Sequence, residues 1–313
     1  MFKPAIGLVM GLVFALTILG QTPAPSPAKV AAGSLQRIAD FPSKYVKSRN
    51  IDIWLPPGYS PKNKYPVLYM HDGQMLFDST TTWNKQEWQV DEVAAKAIYT
   101  KAVPAFIIVG IWNAPMLRHT DYFPQKPFES LTPAQQDSLY NTKRPGQSSV
   151  FNNEKVHSDD YLRFIVNELK PVIDNLYATR SDRANTFIAG SSMGGLISLY
   201  AICEYPNVFG GAACLSTHWP GVFSVENNPI PNAFFQYMEK KLPDPATHKI
   251  YFDYGDQTLD ALYPPLQKQA DEIMKKKGFT ETQTLTLFFP GEDHSEKAWA
   301  KRFDQPLSFL FAK

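Results

Sequence analysis

One stretch constrains this chain more than any other: Thr186-Phe187-Ile188-Ala189-Gly190-Ser191-Ser192-Met193-Gly194-Gly195. It opens on a short apolar run of the kind that forms a buried parallel strand. A Gly-x-Ser-x-Gly turn follows at Gly190, Ser192 and Gly194, and then the apolar segment Leu196-Ile197-Ser198-Leu199-Tyr200-Ala201-Ile202, which reads as a helix packed on a sheet. Strand, tight turn and helix form the context in which such a serine stands on a nucleophile elbow. A side chain at either flanking glycine is expected to clash with the neighbouring strand or helix. The first N–H groups of the new helix lie beside the hydroxyl, where they favour negative charge. Ser191 lacks both glycines, since Ala189 and Met193 stand in their places, so Ser192 is the candidate nucleophile.

The remaining sequence reads as one α/β domain. Strands are expected at 35–40 and 45–55 as an antiparallel lead, then at 65–70, 105–111, 186–190, 211–215, 250–254 and 284–289. Helices are expected at 88–98, from an N-cap at Ser158, after the elbow, at 266–277 up to Gly278, and at 297–311. Strands alternating with helices imply a mainly parallel sheet covered on both faces. Two insertions interrupt it. Residues 113–157 look irregular except for a helix-compatible stretch at 133–140, and 218–247 is rich in proline and aromatic residues. Long loops inside a compact domain usually serve function.

Residues 1–20 have the form of a signal peptide, with Lys3 followed by an uncharged apolar run from Ala5 to Leu19 that is too short to span a bilayer. Residues 21–33 read as a Pro-rich spacer, and 34–313 as the folded domain. Periplasmic or secreted localisation follows, without stable membrane association after cleavage. With 31 basic and 30 acidic residues, the net charge of +1 gives no reason to expect nucleic acid as a partner. Cys203 and Cys214 are the only cysteines, and they read as two small buried residues rather than a disulfide scaffold. No metal-binding spacing and no Gly-rich phosphate loop is present, so no cofactor is expected.

A serine hydroxyl needs a base to take its proton. In this architecture the acid and then the histidine follow the nucleophile on later loops. His294, just after the last strand, is placed for the base. The loop after strand 250–254 offers Asp260, the favoured acid, and Asp256 as the alternative. Two amides are needed to stabilise an oxyanion. Met193 follows the nucleophile, and Gln74 lies in the turn His71-Asp72-Gly73-Gln74, where Gly73 would let the backbone expose its amide. Asp72 reads as a brace for that turn. His71 and His218 also follow strands and are expected to line the substrate pocket. Tyr122, Phe123, Trp219 and Phe223 lie on the insertions, where they could line a pocket for a phenolic acyl group.

These residues resemble the Putative esterase family of α/β-hydrolases, which includes esterase D, feruloyl esterases, enterochelin-type siderophore esterases and mycolyltransferases. The carriers are Leu55-Pro56-Pro57-Gly58-Tyr59, His71-Asp72-Gly73-Gln74-Met75-Leu76-Phe77, Gly190-Ser191-Ser192-Met193-Gly194-Gly195, and Asp293-His294 with Trp299. Arg118-His119-Thr120-Asp121-Tyr122-Phe123-Pro124 resembles a segment bordering the family's active site, which adds Arg118 to the pocket residues. The resemblance implies an α/β-hydrolase fold and an exported serine esterase. Ser192 would be the nucleophile, His294 the base, and Gln74 and Met193 the oxyanion amides. Small-molecule or carbohydrate esters, such as feruloyl or acetyl esters of polysaccharide, would be substrates. Siderophore ester hydrolysis and acyl transfer are the alternatives, with a non-catalytic carbohydrate-binding module further behind. The chain departs from several relatives in its acid: Thr258 and Leu259 occupy the position where they place it, one or two residues before Asp260.

Overall fold

The computed structural model describes residues 28–143, 149–223 and 225–312. The expected signal peptide and the first part of the spacer lie outside the described residues. Eight strands form one sheet: β1 (Ser34–Phe41), β2 (Arg49–Leu55), β3 (Val67–His71), β4 (Ile107–Ile111), β5 (Thr186–Ser191), β6 (Gly211–Leu215), β7 (Lys249–Tyr254) and β8 (Thr284–Phe288). Their order is β1-β2-β4-β3-β5-β6-β7-β8. β1 pairs with β2, and β2 with β4, antiparallel; every other pair is parallel.

The apolar runs that announced the central strands are continuous because both faces are covered. In β3, Val67 and Tyr69 enter one core while Leu68 and Met70 enter the other. The same alternation sends Ala212 and Cys214 of β6 to the first core and Ala213 and Leu215 to the second. The first core is covered by helices that include Met193–Glu204, Ile230–Lys241 and Pro264–Lys276. The second is covered by Val90–Tyr99, Glu296–Arg302 and Asp304–Phe311. Cys203 and Cys214 are buried free thiols, as expected from their settings.

Two expectations about helices change, and proline explains both. The helix at the C-terminus is two helices, broken at Phe303. Pro306 cannot donate to the Arg302 carbonyl, and its ring would press on that oxygen. The helix expected from an N-cap at Ser158 begins with Ser158 itself, and His157 stands at the cap. It widens into π geometry over Phe164–Leu169, and Pro171 follows directly. Proline at 171 has no N–H for the Asn167 carbonyl, and the wider turn accommodates the ring. The insertion 113–157 is also less irregular than expected. It holds helices Arg118–Tyr122, Gln125–Glu129 and Pro133–Tyr140. The last is opened by a reciprocal capping box between Thr132 and Gln135.

The end of the expected spacer is docked on the domain. Lys29 N donates to Asp78 Oδ2 at 2.9 Å, and Ala31 N and Ala32 N donate to Asp91 Oδ2 at 2.6 and 3.2 Å. Trp54 Nε1 donates to the Ala32 carbonyl at 2.8 Å. Residues 28–33 are therefore an extension of the domain rather than a spacer.

The strand order places the site. The chain moves from β3 outward to β4, then returns to the other side of β3 with β5. In open α/β sheets the crevice at such a reversal, beyond the carboxyl ends of the strands, is where ligands bind. Here it lies between the His71 end of β3 and the Ser191 end of β5.

Candidate active site

Ser192 sits at the reversal with φ 58° and ψ −122°, a left-handed backbone that a non-glycine residue adopts at a cost of about 1–3 kcal/mol. Neighbours on both sides hold it there. Its N–H donates to the Leu215 carbonyl at 2.9 Å, and its carbonyl accepts from His218 N at 3.2 Å. A Cβ on Gly190 would lie 2.9 Å from the Gly194 carbonyl carbon, so glycine is required at 190. The clash expected at Gly194 is absent, because a Cβ there would meet His71 Cβ at an ordinary 3.5 Å. The crowded position is instead Gly195, where a Cβ would stand 3.0 Å from Thr217 Oγ1. Met193 opens the twelve-residue helix behind the hydroxyl.

The loops after β7 and β8 are joined at a second close approach. A Cβ on Gly255 would fall 2.0 Å from the Glu292 carbonyl oxygen, which accepts from both Asp256 N and Gln257 N at 3.1 Å. A tight turn over Thr258–Leu262 then brings Asp260 back under the histidine. His294 Nδ1 meets Asp260 Oδ1 at 2.6 Å, and His294 N donates to Thr258 Oγ1 at 3.0 Å. The other Asp260 oxygen accepts from Ser216 Oγ and Gly255 N, both at 2.7 Å. Asp260 is fully buried. Burial alone would raise its pKa, but the hydrogen bond and charge of His294, with those of Ser216 and Gly255, outweigh it and hold the carboxyl below its ordinary value. An ionised Asp260 accepts from Nδ1–H and leaves Nε2 as the lone-pair nitrogen. Asp256 does not reach the imidazole. Its Oδ1 accepts from Gly291 N at 2.8 Å and from Gln257 Nε2, which closes the loop.

A supporting layer went unread in the sequence. Ser216 Oγ, while donating to Asp260, accepts from Trp299 Nε1 at 3.0 Å and Arg302 Nη2 at 2.8 Å. Arg302 also reaches Asp253 Oδ1 at 2.9 Å. Trp299 presents its ring edge-on to His294, with centroids 5.1 Å apart. Tyr263, three residues beyond Asp260, is buried with its hydroxyl 2.9 Å from His218 Nδ1.

The turn after β3 forms the opposite wall. The left-handed residue there is Asp72, with φ 57°, rather than Gly73. Gly73 is needed for a different reason: a Cβ would lie 2.5 Å from the Gly110 backbone of β4. Asp72 braces the turn as expected. Its carboxylate accepts Arg118 Nε and Nη2 at 2.8 Å each and Asn113 Nδ2 at 2.6 Å. Burial opposes ionisation of Asp72, but Arg118 and Asn113 hold its pKa below the ordinary value. Gln74 Oε1 accepts from Asn113 N at 3.1 Å.

Ser192, His294, Gln74, Met193, Arg118 and His218 all line one cavity of ≈ 450 Å³. His71, Tyr122 and Trp219, expected on its surface, are buried behind it. His71 Nδ1 bonds the Tyr161 hydroxyl at 2.8 Å, and burial pulls its pKa down to about 3. The Tyr122 hydroxyl oxygen accepts from Asp72 N at 3.2 Å. Trp219 Nε1 donates to Gln267 Oε1 at 3.0 Å and the ring packs on Phe235 and Phe252. Phe123 is buried as well, whereas Phe223 does line the cavity. Its other aromatic walls are Trp83, Trp88 and Trp299. Trp83 is 84% exposed.

The profile of the Putative esterase family matches residues 43–310. Uncharacterized protein YbbA of Bacillus subtilis (strain 168) is 27% identical over 274 residues, 85% of this chain and 94% of that protein. An endo-1,4-beta-xylanase/feruloyl esterase of Xylanibacter ruminicola is 22% identical over 285 residues, covering 89% of this chain and 31% of that longer protein. Among solved structures, an IroE-like serine hydrolase from Shewanella oneidensis superposes with a TM-score of 0.63 at 20% identity, over 89% of this chain and 80% of that one. A ferulic acid esterase superposes with a TM-score of 0.60 at 17% identity, over 89% and 97%. These likenesses show an α/β-hydrolase-type fold.

Proposed function

The chain belongs to the Putative esterase family, and on that premise we propose that it is an exported serine hydrolase that cleaves carboxylic esters through an acyl-enzyme on Ser192. One observation carries the reading: a buried, ionised Asp260 holds His294 Nδ1 at 2.6 Å in the cavity that Ser192 also lines. In the proposed cycle, Ser192 Oγ attacks the ester carbonyl as His294 Nε2 takes its proton. The carbonyl π pair moves to oxygen, towards the amides of Gln74 and Met193. As the intermediate collapses, His294 returns the proton to the departing alcohol. Water then repeats the sequence and releases the acid. Asp260 holds the tautomer and stabilises the imidazolium throughout.

The cavity favours an ester with a flat ring. Trp83, Trp88, Trp299 and Phe223 supply aromatic faces. Its one guanidinium, Arg118, is already taken by Asp72, and Glu296 adds a second carboxylate. This lining suits a neutral phenolic acyl group, such as a feruloyl ester, better than a strongly anionic siderophore ester. Export rests on residues 1–20 alone, and among the described residues no helix is long and apolar enough to cross a membrane.

The test is fluorophosphonate labelling with a screen of feruloyl, acetyl and siderophore esters. Ser192→Ala is expected to abolish both labelling and the hydrolysis of p-nitrophenyl acetate with the fold intact. Turnover retained in that variant would remove Ser192 from the reaction. Product analysis with an added carbohydrate acceptor separates hydrolysis from acyl transfer.

A further inference from the structure

Resting on the serine-esterase reading, we infer that Arg118 is a positioning residue for the oxyanion: with Asn113 it holds the Asp72 carboxylate off the Gln74 amide. Asp72 stands at the N-cap of the turn Gly73–Met75, which carries the proposed oxyanion amide of Gln74. A carboxylate at an N-cap ordinarily accepts the N–H of the second or third residue beyond it, here Gln74 or Met75. Asp72 makes no such bond. Met75 N donates to the Asp72 carbonyl at 2.8 Å, so Gln74 N is the amide that a freed carboxylate would take. Both carboxylate oxygens are instead drawn to the insertion. Arg118 Nε donates to Oδ1 and Nη2 to Oδ2, each at 2.8 Å, and Asn113 Nδ2 donates to Oδ1 at 2.6 Å. The same segment holds the turn's other polar groups: Asp72 N donates to the Tyr122 hydroxyl at 3.2 Å, and Asn113 N to Gln74 Oε1 at 3.1 Å. The carboxylate is also close to the elbow. A Cβ on Gly194 would stand 3.7 Å from Asp72 Oδ2, and Asp72, Gln74, Arg118, Ser192 and Met193 line the same cavity.

A freed carboxylate would harm the reaction twice. Ionised, it is an acceptor only, so on the Gln74 N–H it would consume a donor that the oxyanion needs. Unpaired beside a carbonyl oxygen that gains negative charge, it would also oppose that charge. Arg118 removes both effects. Its planar fork takes both oxygens and fixes their direction, which a single ammonium cannot do. It also offsets the negative charge. Burial opposes ionisation of Asp72, yet the charge and hydrogen bonds of Arg118, with Asn113, keep the carboxyl below its ordinary pKa. The guanidinium therefore lines the cavity for the sake of the turn, not to grip an anionic part of the substrate. Its effect belongs to the step in which charge develops on the ester oxygen.

The experiment removes the arginine and then the charge it restrains. Arg118→Met should lower kcat on p-nitrophenyl acetate about a hundred-fold, the lower end for losing one oxyanion donor, with KM within about two-fold. Asp72→Asn alone should cost about ten-fold or less, because its amide oxygen still accepts from Arg118. Arg118→Met/Asp72→Asn should regain about ten-fold in kcat over Arg118→Met, since no carboxylate is left to take the amide. O-p-nitrophenyl thionoacetate gives a readout that lost stability does not move. Sulfur accepts hydrogen bonds weakly, so the oxo-to-thiono rate ratio should fall about ten-fold in Arg118→Met and return in the double variant. Rates are normalised to the Ser192 that fluorophosphonate labels. With Ser192 labelled, any of four results overturns this inference alone: wild-type kcat in Arg118→Met, a loss carried by KM, an unchanged ratio, or a double variant no faster than Arg118→Met. If Arg118→Met does not fold, Arg118→Lys takes its place. It should lose about ten-fold in kcat and regain it with Asp72→Asn; no gain overturns the inference. Ester turnover retained by Ser192→Ala overturns the serine reading and this inference together.

Discussion

Asp260→Asn offers the sharpest test of how the histidine is held. The carboxylate accepts three hydrogen bonds, from His294 Nδ1 at 2.6 Å, Ser216 Oγ at 2.7 Å and Gly255 N at 2.7 Å, and Arg302 Nη2 lies 4.0 Å from it. An amide has only one accepting oxygen. If that oxygen stays on Ser216 and Gly255, the Asn NH₂ faces Nδ1 and forces the proton to Nε2, which can no longer accept from serine. If the oxygen faces Nδ1, the NH₂ is set against two donors in a buried site. In either case the imidazolium loses a charged partner. A hydrogen bond to a charged group contributes about 1.5–3 kcal/mol, and the wrong tautomer adds to that. A triad aspartate replaced by asparagine in a serine protease costs about 10⁴ in kcat, so we expect a loss of roughly 10³–10⁴-fold here, equivalent to about 4–5.5 kcal/mol on the barrier. Asp256→Asn should cost about three-fold or less, because Asp256 contacts only the Gly291 amide and the Gln257 side chain. The assay is steady-state hydrolysis of p-nitrophenyl acetate with circular dichroism on each variant. An Asp260→Asn enzyme within ten-fold of wild type, or a larger loss from Asp256→Asn, would refute the reasoning.

Two further outcomes follow from the cavity wall and from the docked N-terminal segment. Trp83 is 84% exposed on the wall, so Trp83→Ala should raise KM for a feruloyl ester about five- to twenty-fold, in the range for losing an aromatic contact, while leaving p-nitrophenyl acetate nearly unchanged; equal effects on both esters would exclude ring stacking there. Burial, with the hydrogen bond and charge of Glu92, pushes Asp91 up to about 7. Because the folded-state pKa is raised, the stability linked to this proton is full in acid, below the unfolded carboxyl value, and is lost as pH rises through about 7. Thermal melts at stepped pH should show this loss in the wild type and a flatter profile in Asp91→Asn; identical profiles would remove Asp91 from the linkage.

The elbow was legible because its information is local: an apolar strand, a turn and a helix follow one another within about twenty residues. The sheet was legible for a related reason, since strands buried on both faces need unbroken apolar runs. The acid could be narrowed only to a pair. Asp256 and Asp260 both follow β7, and the choice depends on the turn over Thr258–Leu262 that aims one carboxylate inward. Ser216, Tyr263 and Arg302 gave no local signal, because their partners are distant in the chain: Ser216 meets Arg302 across 86 positions, and His218 meets Tyr263 across 45. Tyr122 and Trp219 were misjudged because proximity to the site in sequence does not say which way a ring turns. Both are consumed by the core, and the wall is built from Trp83 and Trp88 instead. The two prolines that interrupt helices, Pro171 and Pro306, were visible in the sequence, but the apolar stripes around them masked the break.

Asp78 and Asp91 receive the amides of Lys29, Ala31 and Ala32 from either end of the segment that carries Trp83 and Trp88. A shortened version of this enzyme should therefore start no later than Ala28. A fusion junction or purification tag inserted between Ala28 and Gly33 would strip three donors from two carboxylates and loosen the segment that frames the entrance. An engineer trimming at the first strand would then see altered substrate preference from an edit far from Ser192 in sequence.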